Sequence, residues 1–233
     1  MVKLLTMLFI AYLLGAIPSG MWVGKLFFHK DIRQEGSGNI GTTNTYRVLG
    51  RTAGTAVMAL DILKGALASG QVAFFGAPMI HGWPVNGLLI GLAAILGNTY
   101  SVFDGFKGGK AVATSAGILA GYNFPFFLFA SAIFASLVYL SSMVSVASMG
   151  AMTIITFTSL LLHDGILTTV AFILTLFIFY RHRANIDRIM ARTENLVPFG
   201  CYYHYRQKHP QKSAETDDHA EPTDQKPTSA NKK

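Results

Sequence analysis

The sequence predicts an all-α integral membrane protein. Of its 233 residues, 51% are hydrophobic and 13% are charged, and the mean hydropathy is +0.39. A helix needs about 20 mostly apolar residues to cross a hydrocarbon core of about 30 Å, and several windows meet or approach that length. Lys and Arg also gather in particular connections between the apolar windows. These three observations favour a multi-span membrane protein over a soluble domain.

We expect about seven transmembrane helices, the fourth of them short. The predicted spans cover residues 4–28, 53–77, 85–101, 111–122, 124–141, 144–162 and 167–180. The fourth is too short to cross alone, so the alternative is a half-helix or re-entrant segment covered by protein, with six full spans. The start of the chain resembles a signal peptide, but its apolar run continues through Phe28, which favours a retained span.

The distribution of basic residues orients the chain. Lys and Arg lie in the first and third connections and after residue 180, whereas the even-numbered connections contain none. Because basic residues accumulate on the cytoplasmic side, we expect the N-terminus outside and the C-terminus in the cytoplasm. The net charge of +7 then reflects topology and is weak evidence for nucleic-acid binding. Residues 1–205 form the predicted membrane domain, and residues 206–233 form a polar tail whose composition predicts disorder.

The first polar cluster is the segment 36–47, GSGNIGTTNTYR, which interrupts the apolar segments. Its glycines allow close backbone approach, and its hydroxyl and amide side chains supply donors, as in anion-binding loops. If the chain is helical after Gly41, Thr43, Asn44 and Arg47 share one face near a helix N-terminus. The alternative is a flexible turn with a capping hydroxyl. The candidate phosphate ligands are Ser37, Gly38, Asn39, Thr43, Asn44 and Arg47.

The second polar cluster is the segment 105–114, GFKGGKAVAT. Lys107 and Lys110 stand among glycines, so cations and bare backbone donors can approach one ligand together. A Walker A loop needs Ser or Thr after its lysine, but Ala111 follows Lys110, which argues against nucleotide hydrolysis. Two cytoplasmic lysines at the end of a span are the alternative.

The third polar cluster is the segment 181–195, RHRANIDRIMARTEN, which follows the last span. His182 and Asn185 are three residues apart and share a helical face. Ser145 lies in the short connection before the sixth span, where it is either a ligand or a helix cap. Because the predicted topology puts all of these groups on the cytoplasmic side, we expect them to form one site.

Ionisable residues inside a span are candidate functional groups. Asp61 and Lys64 interrupt the second span and are three residues apart, so they form either a functional site or an ion pair that neutralises itself. Cys201 is the single cysteine, which excludes an intrachain disulfide and a cysteine-based metal site. We expect no metal and no cofactor.

Five fragments in order resemble the bacterial acyl-phosphate:glycerol-3-phosphate acyltransferase family: SGNIGTTNTYR, DILKG, FKGGKAVAT, the SVAS turn and RHRANIDR. The resemblance extends from residue 4 to about residue 195. It implies transfer of a fatty acyl group from acyl phosphate to the 1-hydroxyl of sn-glycerol 3-phosphate, giving lysophosphatidic acid and inorganic phosphate at the start of phospholipid synthesis. It also implies a bacterial plasma membrane location, membrane lipid as surroundings and the acyl-phosphate-producing enzyme as a partner.

The resemblance also implies roles for single residues. It implies a supporting role for Glu194 and a binding pocket, for which the expected residues are Ser37, Gly38, Asn39, Thr43, Asn44, Arg47, Lys107, Gly108, Gly109, Lys110, Ser145, His182 and Asn185. Among these, we expect Arg47, Lys110, His182 and Asn185 to take part in catalysis. Asp61 and Lys64 are further supporting candidates because of their charge within a span.

The chain departs from the family pattern at Asn98, where the family usually has a histidine, so any role of that histidine does not transfer. Ser101 and Ala111 also replace a usual proline and glycine. The competing function is a small transporter of phosphate-bearing or other anionic solutes. Transporters often place their sites at the midplane between related halves, and this chain shows no internal repeat.

Overall fold

The computed structural model describes residues 1–209, and most of these residues fold into helices. The helices are α1 (Val2–Ala16), α2 (Ser19–Phe28), α3 (Thr42–Phe75), α4 (Gly87–Thr99), α5 (Val112–Tyr122), α6 (Phe124–Ser141), α7 (Val144–Ser159), α8 (Gly165–Arg181), α9 (Arg183–Met190) and α10 (Cys201–Lys208). A small antiparallel hairpin, β1 (Met79–Ile80) and β2 (Trp83–Pro84), joins α3 to α4. The predicted all-α class is confirmed. Residues 206–208 of the predicted tail belong to α10, and its remainder from residue 210 lies outside the described residues.

Every predicted span contains a helix, but the helices differ in length. Within residues 1–209, three are long and apolar enough to cross a membrane, and the total is five if each of two bent pairs is one span. Helices α4 and α5 are apolar but have only 13 and 11 residues. At 1.5 Å per residue, α5 rises about 16 Å, roughly half the thickness of the hydrocarbon core. The short fourth segment is therefore present, and the number of full crossings stays a prediction.

The expected first span consists of two helices rather than one. Helices α1 and α2 meet at 45° around Pro18, which interrupts the helical hydrogen bonds. The break leaves carbonyl groups in need of donors, and two distant side chains supply them. Ser101 Oγ donates to the carbonyl of Ala16 at 2.5 Å, and Lys64 Nζ donates to the carbonyl of Ile17 at 2.9 Å. This break is tolerated because protein groups satisfy the freed backbone.

The intramembrane residues Asp61 and Lys64 form an ion pair next to this break. Their side-chain atoms lie 2.8 Å apart, and only 10% and 5% of the two side chains are exposed. Ser19 Oγ donates a further hydrogen bond to Asp61 at 2.9 Å. The pair thus ties α3 to both halves of the broken helix, which favours the structural alternative for these two residues.

Helix α3 begins at Thr42, well before the predicted span, so the second half of the first polar cluster is helical. A non-helical residue, Gly50 with φ of 86°, separates this first part from the long apolar part. The apolar part packs closely on α5 through glycines. A Cβ added at Gly117 would lie 2.0 Å from the carbonyl oxygen of Ile62. This close packing places the segment before α5, which carries Lys110, beside α3.

Candidate active site

The second and third polar clusters meet at Lys110. Its Nζ donates a hydrogen bond to Oδ1 of Asn185, a buried residue in α9. The other end of the same amide, Nδ2, lies 2.7 Å from Ser145 Oγ and 2.8 Å from Glu194 Oε1. Ser145 Oγ in turn donates to Glu194 Oε1 at 2.8 Å. Four residues singled out from the sequence therefore form one continuous hydrogen-bond network.

The backbone around this network explains how the residues meet. Helices α8 and α9 are bent by 61° at His182, which turns Asn185 back towards α7. Ser145 lies in the first turn of α7 and not in a loop. Glu194 follows α9, and Arg188 Nε holds its second carboxylate oxygen, Oε2, at 2.9 Å. Glu194 is thus fixed by partners on both of its oxygens.

The charges around Lys110 make the site attractive to anions. Lys110 precedes α5, and burial lowers its pKa to about 8. Glu194 acts in the opposite direction, whereas Arg188, Arg181 and Arg47 lower this pKa further by repulsion. Three guanidinium groups therefore act on one ammonium group, and a phosphate bound here would relieve their mutual repulsion. The effect of Arg47 also brings the first polar cluster into the same electrostatic environment.

The lysine–glycine loop is held from two sides. The guanidinium of Arg181 donates through one nitrogen to the carbonyls of Gly108 and Gly109, at 3.2 and 3.0 Å. On the other side, the amide of Gly109 donates to the carbonyl of Asn98 at 3.0 Å. A Cβ added at Gly108 would lie 2.2 Å from that carbonyl oxygen, so the close approach requires glycine. Because Asn98 supports the loop through its backbone, this contact does not depend on the histidine that is usual in the family.

The environment of His182 defines which ring nitrogen carries a proton. His182 is buried, and its Nδ1 lies 2.8 Å from the carbonyl oxygen of Ile178. A carbonyl only accepts, so Nδ1 must be the donor. In the neutral imidazole, Nε2 then has a lone pair and can accept a proton or hydrogen bond from a hydroxyl group.

The first polar cluster is organised by Asn44. Its Oδ1 accepts a hydrogen bond from the amide of Ser37 at 2.9 Å, and its Nδ2 donates to the carbonyls of Ile32 and Glu35 at 2.9 and 3.1 Å. Asn44 is buried, and its amide is occupied in shaping the loop. Arg47, one turn further along α3, is exposed and lies 3.4 Å from Asn44 Oδ1. The exposed residues of this cluster are Gly36, Ser37, Gly38, Thr43 and Arg47.

A cavity of about 340 Å³ separates the first cluster from the lysine–glycine loop. Asn39 lines one side, where its Oδ1 accepts a hydrogen bond from the amide of Gly41 at 2.9 Å. Lys107 lines the other side. Arg33 and Asp104, which no sequence motif indicates as site residues, also line this cavity. In the sequence, Arg33 is one of several basic residues in the first connection, and no sequence spacing links it to Asp104.

The chain after α9 docks on the turn between α6 and α7. We call residues 194–203 the C-terminal strap. The amide of Val197 donates to the carbonyl of Ser142 at 2.8 Å, and the amide of Tyr203 donates to its Oγ at 3.0 Å. Gly200 has φ of 96°, and a Cβ added there would lie 2.4 Å from the carbonyl oxygen of Tyr139. The strap is thus docked immediately beyond Glu194.

Within residues 1–209, no group of three or more His, Cys, Asp or Glu side chains is arranged to hold a metal ion.

Comparison with known proteins identifies the family. Residues 5–192 match the family model described as glycerol-3-phosphate acyltransferase. The chain belongs to the glycerol-3-phosphate acyltransferase family. It is 61% identical to the glycerol-3-phosphate acyltransferase of Lactiplantibacillus plantarum, over 88% of this chain and 98% of that protein. It is 58% identical to the enzyme of the same name from Levilactobacillus brevis, over 88% of this chain and 99% of that protein.

Solved structures of the family agree with the fold. The chain resembles the crystal structure of PlsY, an integral membrane glycerol 3-phosphate acyltransferase, in its glycerol 3-phosphate form, with 34% identity and a TM-score of 0.76. That match covers 84% of this chain and 96% of PlsY. The lysophosphatidic acid form matches with a TM-score of 0.73. These matches confirm the predicted integral membrane class and the family resemblance. Of the residues in the Lys110 network, Lys110, Ser145 and Asn185 lie within residues 5–192, which match the family model. Glu194 lies just beyond them.

Proposed function

We propose that this protein transfers a fatty acyl group from acyl phosphate to the 1-hydroxyl of sn-glycerol 3-phosphate. The products are lysophosphatidic acid and inorganic phosphate, and the reaction is the first step of phospholipid synthesis. The observation that carries the proposal is the network of Lys110, Asn185, Ser145 and Glu194 within a ring of guanidinium groups. The names of the relatives, which are glycerol-3-phosphate acyltransferases, support the choice of acceptor.

The charge of the site suits this pair of substrates because both carry phosphate. Lys107 lines the cavity between the two loops, Arg47 is exposed on the first cluster, and Lys110 is partly buried in the hydrogen-bond network. We assign these three cations to phosphate binding. Charge-assisted hydrogen bonds from Arg and Lys to phosphate are roughly twice as strong as neutral ones, so such a cluster favours phosphate over a neutral ligand.

The leaving group explains why the site can act without a Ser-His-Asp triad. Phosphate leaves a carbonyl carbon far more readily than an amine does, so a strongly activated serine nucleophile is not required. The reaction then depends on holding the glycerol hydroxyl against the acyl carbonyl and on stabilising negative charge on the departing phosphate. A rigid pocket with fixed cations supplies both effects.

His182 and Asn185 have complementary roles in this proposal. The Nε2 lone pair of His182 is oriented by the Nδ1 contact with Ile178 and accepts a hydrogen bond from glycerol 3-phosphate. Asn185 holds Lys110 in place and connects it to Glu194. As the glycerol oxygen bonds to the acyl carbon and the bond from that carbon to the phosphate oxygen breaks, the hydroxyl proton passes either to Nε2 of His182, which becomes imidazolium, or to the departing phosphate.

We propose that the protein lies in the bacterial plasma membrane with its active site on the cytoplasmic side. The basic residues of the first and third connections and of the C-terminal region support this orientation. Glycerol 3-phosphate would reach the site from water, whereas the acyl chain of the donor would remain in the bilayer.

The decisive experiment uses purified protein in detergent with glycerol 3-phosphate and one acyl donor at a time. Acyl phosphate, acyl-CoA and acyl carrier protein are compared, and lysophosphatidic acid is measured. We expect product from acyl phosphate. Product from acyl-CoA alone would overturn the proposal, and flux of anionic solute into proteoliposomes without any product would favour a transporter.

A further inference from the structure

Arg33 joins the two loops that enclose the cavity. One of its terminal nitrogens lies 2.5 Å from Asp104 Oδ1, across 71 residues of sequence. The rest of the guanidinium group holds Asp31, with Nε 2.9 Å from Oδ1 and the second terminal nitrogen 2.5 Å from Oδ2. Arg33 therefore belongs rigidly to its own loop and also reaches across to the loop that carries Lys107.

The two side chains of the Arg33–Asp104 ion pair differ in burial, and the burial of Asp104 makes the pair important for stability. Only 4% of the Asp104 side chain is exposed, compared with 40% of the Arg33 side chain. A carboxylate removed from water needs a cation close to it, because an unpaired buried charge is strongly unfavourable. Removing Arg33 would leave Asp104 charged in a poor environment, so this loop would be expected to rearrange.

Both ends of this bridge connect to groups assigned to phosphate binding. On the Arg33 side, the preceding carbonyl of Ile32 is held by Asn44, which also contacts Arg47. On the Asp104 side, its own carbonyl accepts a hydrogen bond from the amide of Lys107 at 3.2 Å. A change in the bridge would therefore shift Lys107, which lines the cavity, relative to the loop that Asn44 holds next to Arg47.

We propose that Arg33 is a positioning residue for acyl transfer. Through Asp104, it sets the separation between the loop that Asn44 holds next to Arg47 and the loop that carries Lys107, and thereby the geometry in which the phosphate of a substrate is held. The kinetic consequence of this inference rests on the proposed function, whereas its structural consequence does not. The two can therefore be tested separately.

The structural test measures the distance between the two loops. Spin labels are placed at Gln34→Cys and Phe106→Cys, both exposed positions, in a Cys201→Ser background that removes the single native cysteine. We expect Arg33→Ala and Asp104→Ala to broaden or shift the distance distribution from pulsed electron paramagnetic resonance. Lys30→Ala is the matched control, because Lys30 pairs with Glu35 at 3.3 Å within one exposed loop. An unchanged distribution in Arg33→Ala would overturn the bridge.

The kinetic test is a double-mutant cycle on full-length protein. Arg33→Ala and Asp104→Ala should each raise KM for glycerol 3-phosphate about tenfold, and the double variant should show no further increase, because one broken contact explains all three. A purely structural loss would reduce the active fraction, and so kcat, with KM unchanged. Asp104→Asn replaces Asp104→Ala if the latter fails to fold. Additive effects of the two substitutions, or an equal effect of Lys30→Ala, would overturn the positioning role. An inactive wild-type protein would instead overturn the proposed function. In that case the distance measurement still decides whether the bridge holds the two loops together.

Discussion

Lys110 donates a hydrogen bond to Asn185, which lies 75 residues further along the chain. This contact brings the segment before α5 against the helix that follows the last apolar segment. Since Asn185 also contacts Ser145 and Glu194, it is the residue through which three parts of the chain fix the position of one cation. The hydrogen-bond network therefore depends on an amide that both donates and accepts.

The amide of Asn185 can be tested by a change of similar shape. In the wild-type chain, Nδ2 of Asn185 lies 2.8 Å from Oε1 of Glu194. Asn185→Asp removes the donor to Ser145 and replaces this nitrogen with a carboxylate oxygen, so that two carboxylates face each other. The new charge would also neutralise Lys110. We expect kcat/KM to fall by about a hundredfold or more, as for loss of a preorganised electrostatic group. Steady-state formation of lysophosphatidic acid measures the effect, and activity within twofold of wild type would contradict it.

The alkaline pH dependence of activity should follow Lys110. Burial lowers its pKa to about 8, so the cation needed for phosphate is present below this pH and is lost as the pH rises through it. We expect kcat/KM, which reports the free enzyme, to decline with an apparent pKa of about 8. Because Glu194 raises the pKa of Lys110, Glu194→Gln should move the decline in activity to lower pH. In Lys110→Arg the guanidinium stays charged, so any remaining activity should not show this decline. A decline that is identical in all three proteins would rule out Lys110 as its origin.

Arg47 provides a test of the first polar cluster. It is exposed, and it acts on Lys110 electrostatically, so Arg47→Ala should abolish turnover while the fold stays intact. Arg51→Ala is the matched control, since Arg51 is also exposed on α3 but lies beyond the interruption at Gly50. Activity is measured with acyl phosphate, and folding is measured by thermal unfolding in detergent. Near-normal turnover in Arg47→Ala would remove this residue from the site.

The ion pair of Asp61 and Lys64 should affect stability more than chemistry. Lys64→Ala leaves a buried carboxylate unpaired and removes the donor to Ile17, which should cost about 3 kcal/mol. The double variant Asp61→Asn with Lys64→Met should be less destabilised than Lys64→Ala because no buried charge remains. Apparent unfolding temperatures in detergent provide the comparison. A double variant that is stable but inactive would instead favour the functional alternative for this pair.

The C-terminal strap should be sensitive to a single methyl group. Gly200→Ala introduces a Cβ at 2.4 Å from the carbonyl oxygen of Tyr139, at a φ of 96° that other residues rarely adopt. We expect the strap to shift, Glu194 to lose its position and activity to fall about tenfold. Gly70→Ala is the control, because a Cβ there would meet no atom within 4 Å. Equal activities of the two variants would show that strap docking does not matter.

Hydropathy was sufficient to locate the apolar helices, but not α9 and α10, because an apolar segment must bury or shield its surface whatever its neighbours are. It could not reveal that α3 begins at Thr42, since that part of the helix is polar and is stabilised by the loop contacts of Asn44. It also missed the break at Pro18. That break is tolerated only because Ser101 and Lys64, which are distant in sequence, satisfy the exposed carbonyls.

The candidate site was partly predictable for a related reason. Charge asymmetry placed the polar clusters on one side, and the family resemblance selected Lys110, Ser145 and Asn185 within them. The contacts between them arise from the packing of α5, α7 and α9 and have no local signature. Arg33 illustrates the limit, because its partner Asp104 becomes apparent only when both loops are folded.

Synthesis of the chain imposes an order on the assembly of this network. When the ribosome has completed α7, the nascent chain already contains Lys110 and Ser145, but Asn185 and Glu194 have not been made. Their arrival after α8 completes the hydrogen bonds, and the strap that follows Glu194 then docks on Ser142. A product truncated before Asn185 lacks two of the four residues of the network, so the hydrogen bonds around Lys110 cannot form until almost the whole membrane domain has been made.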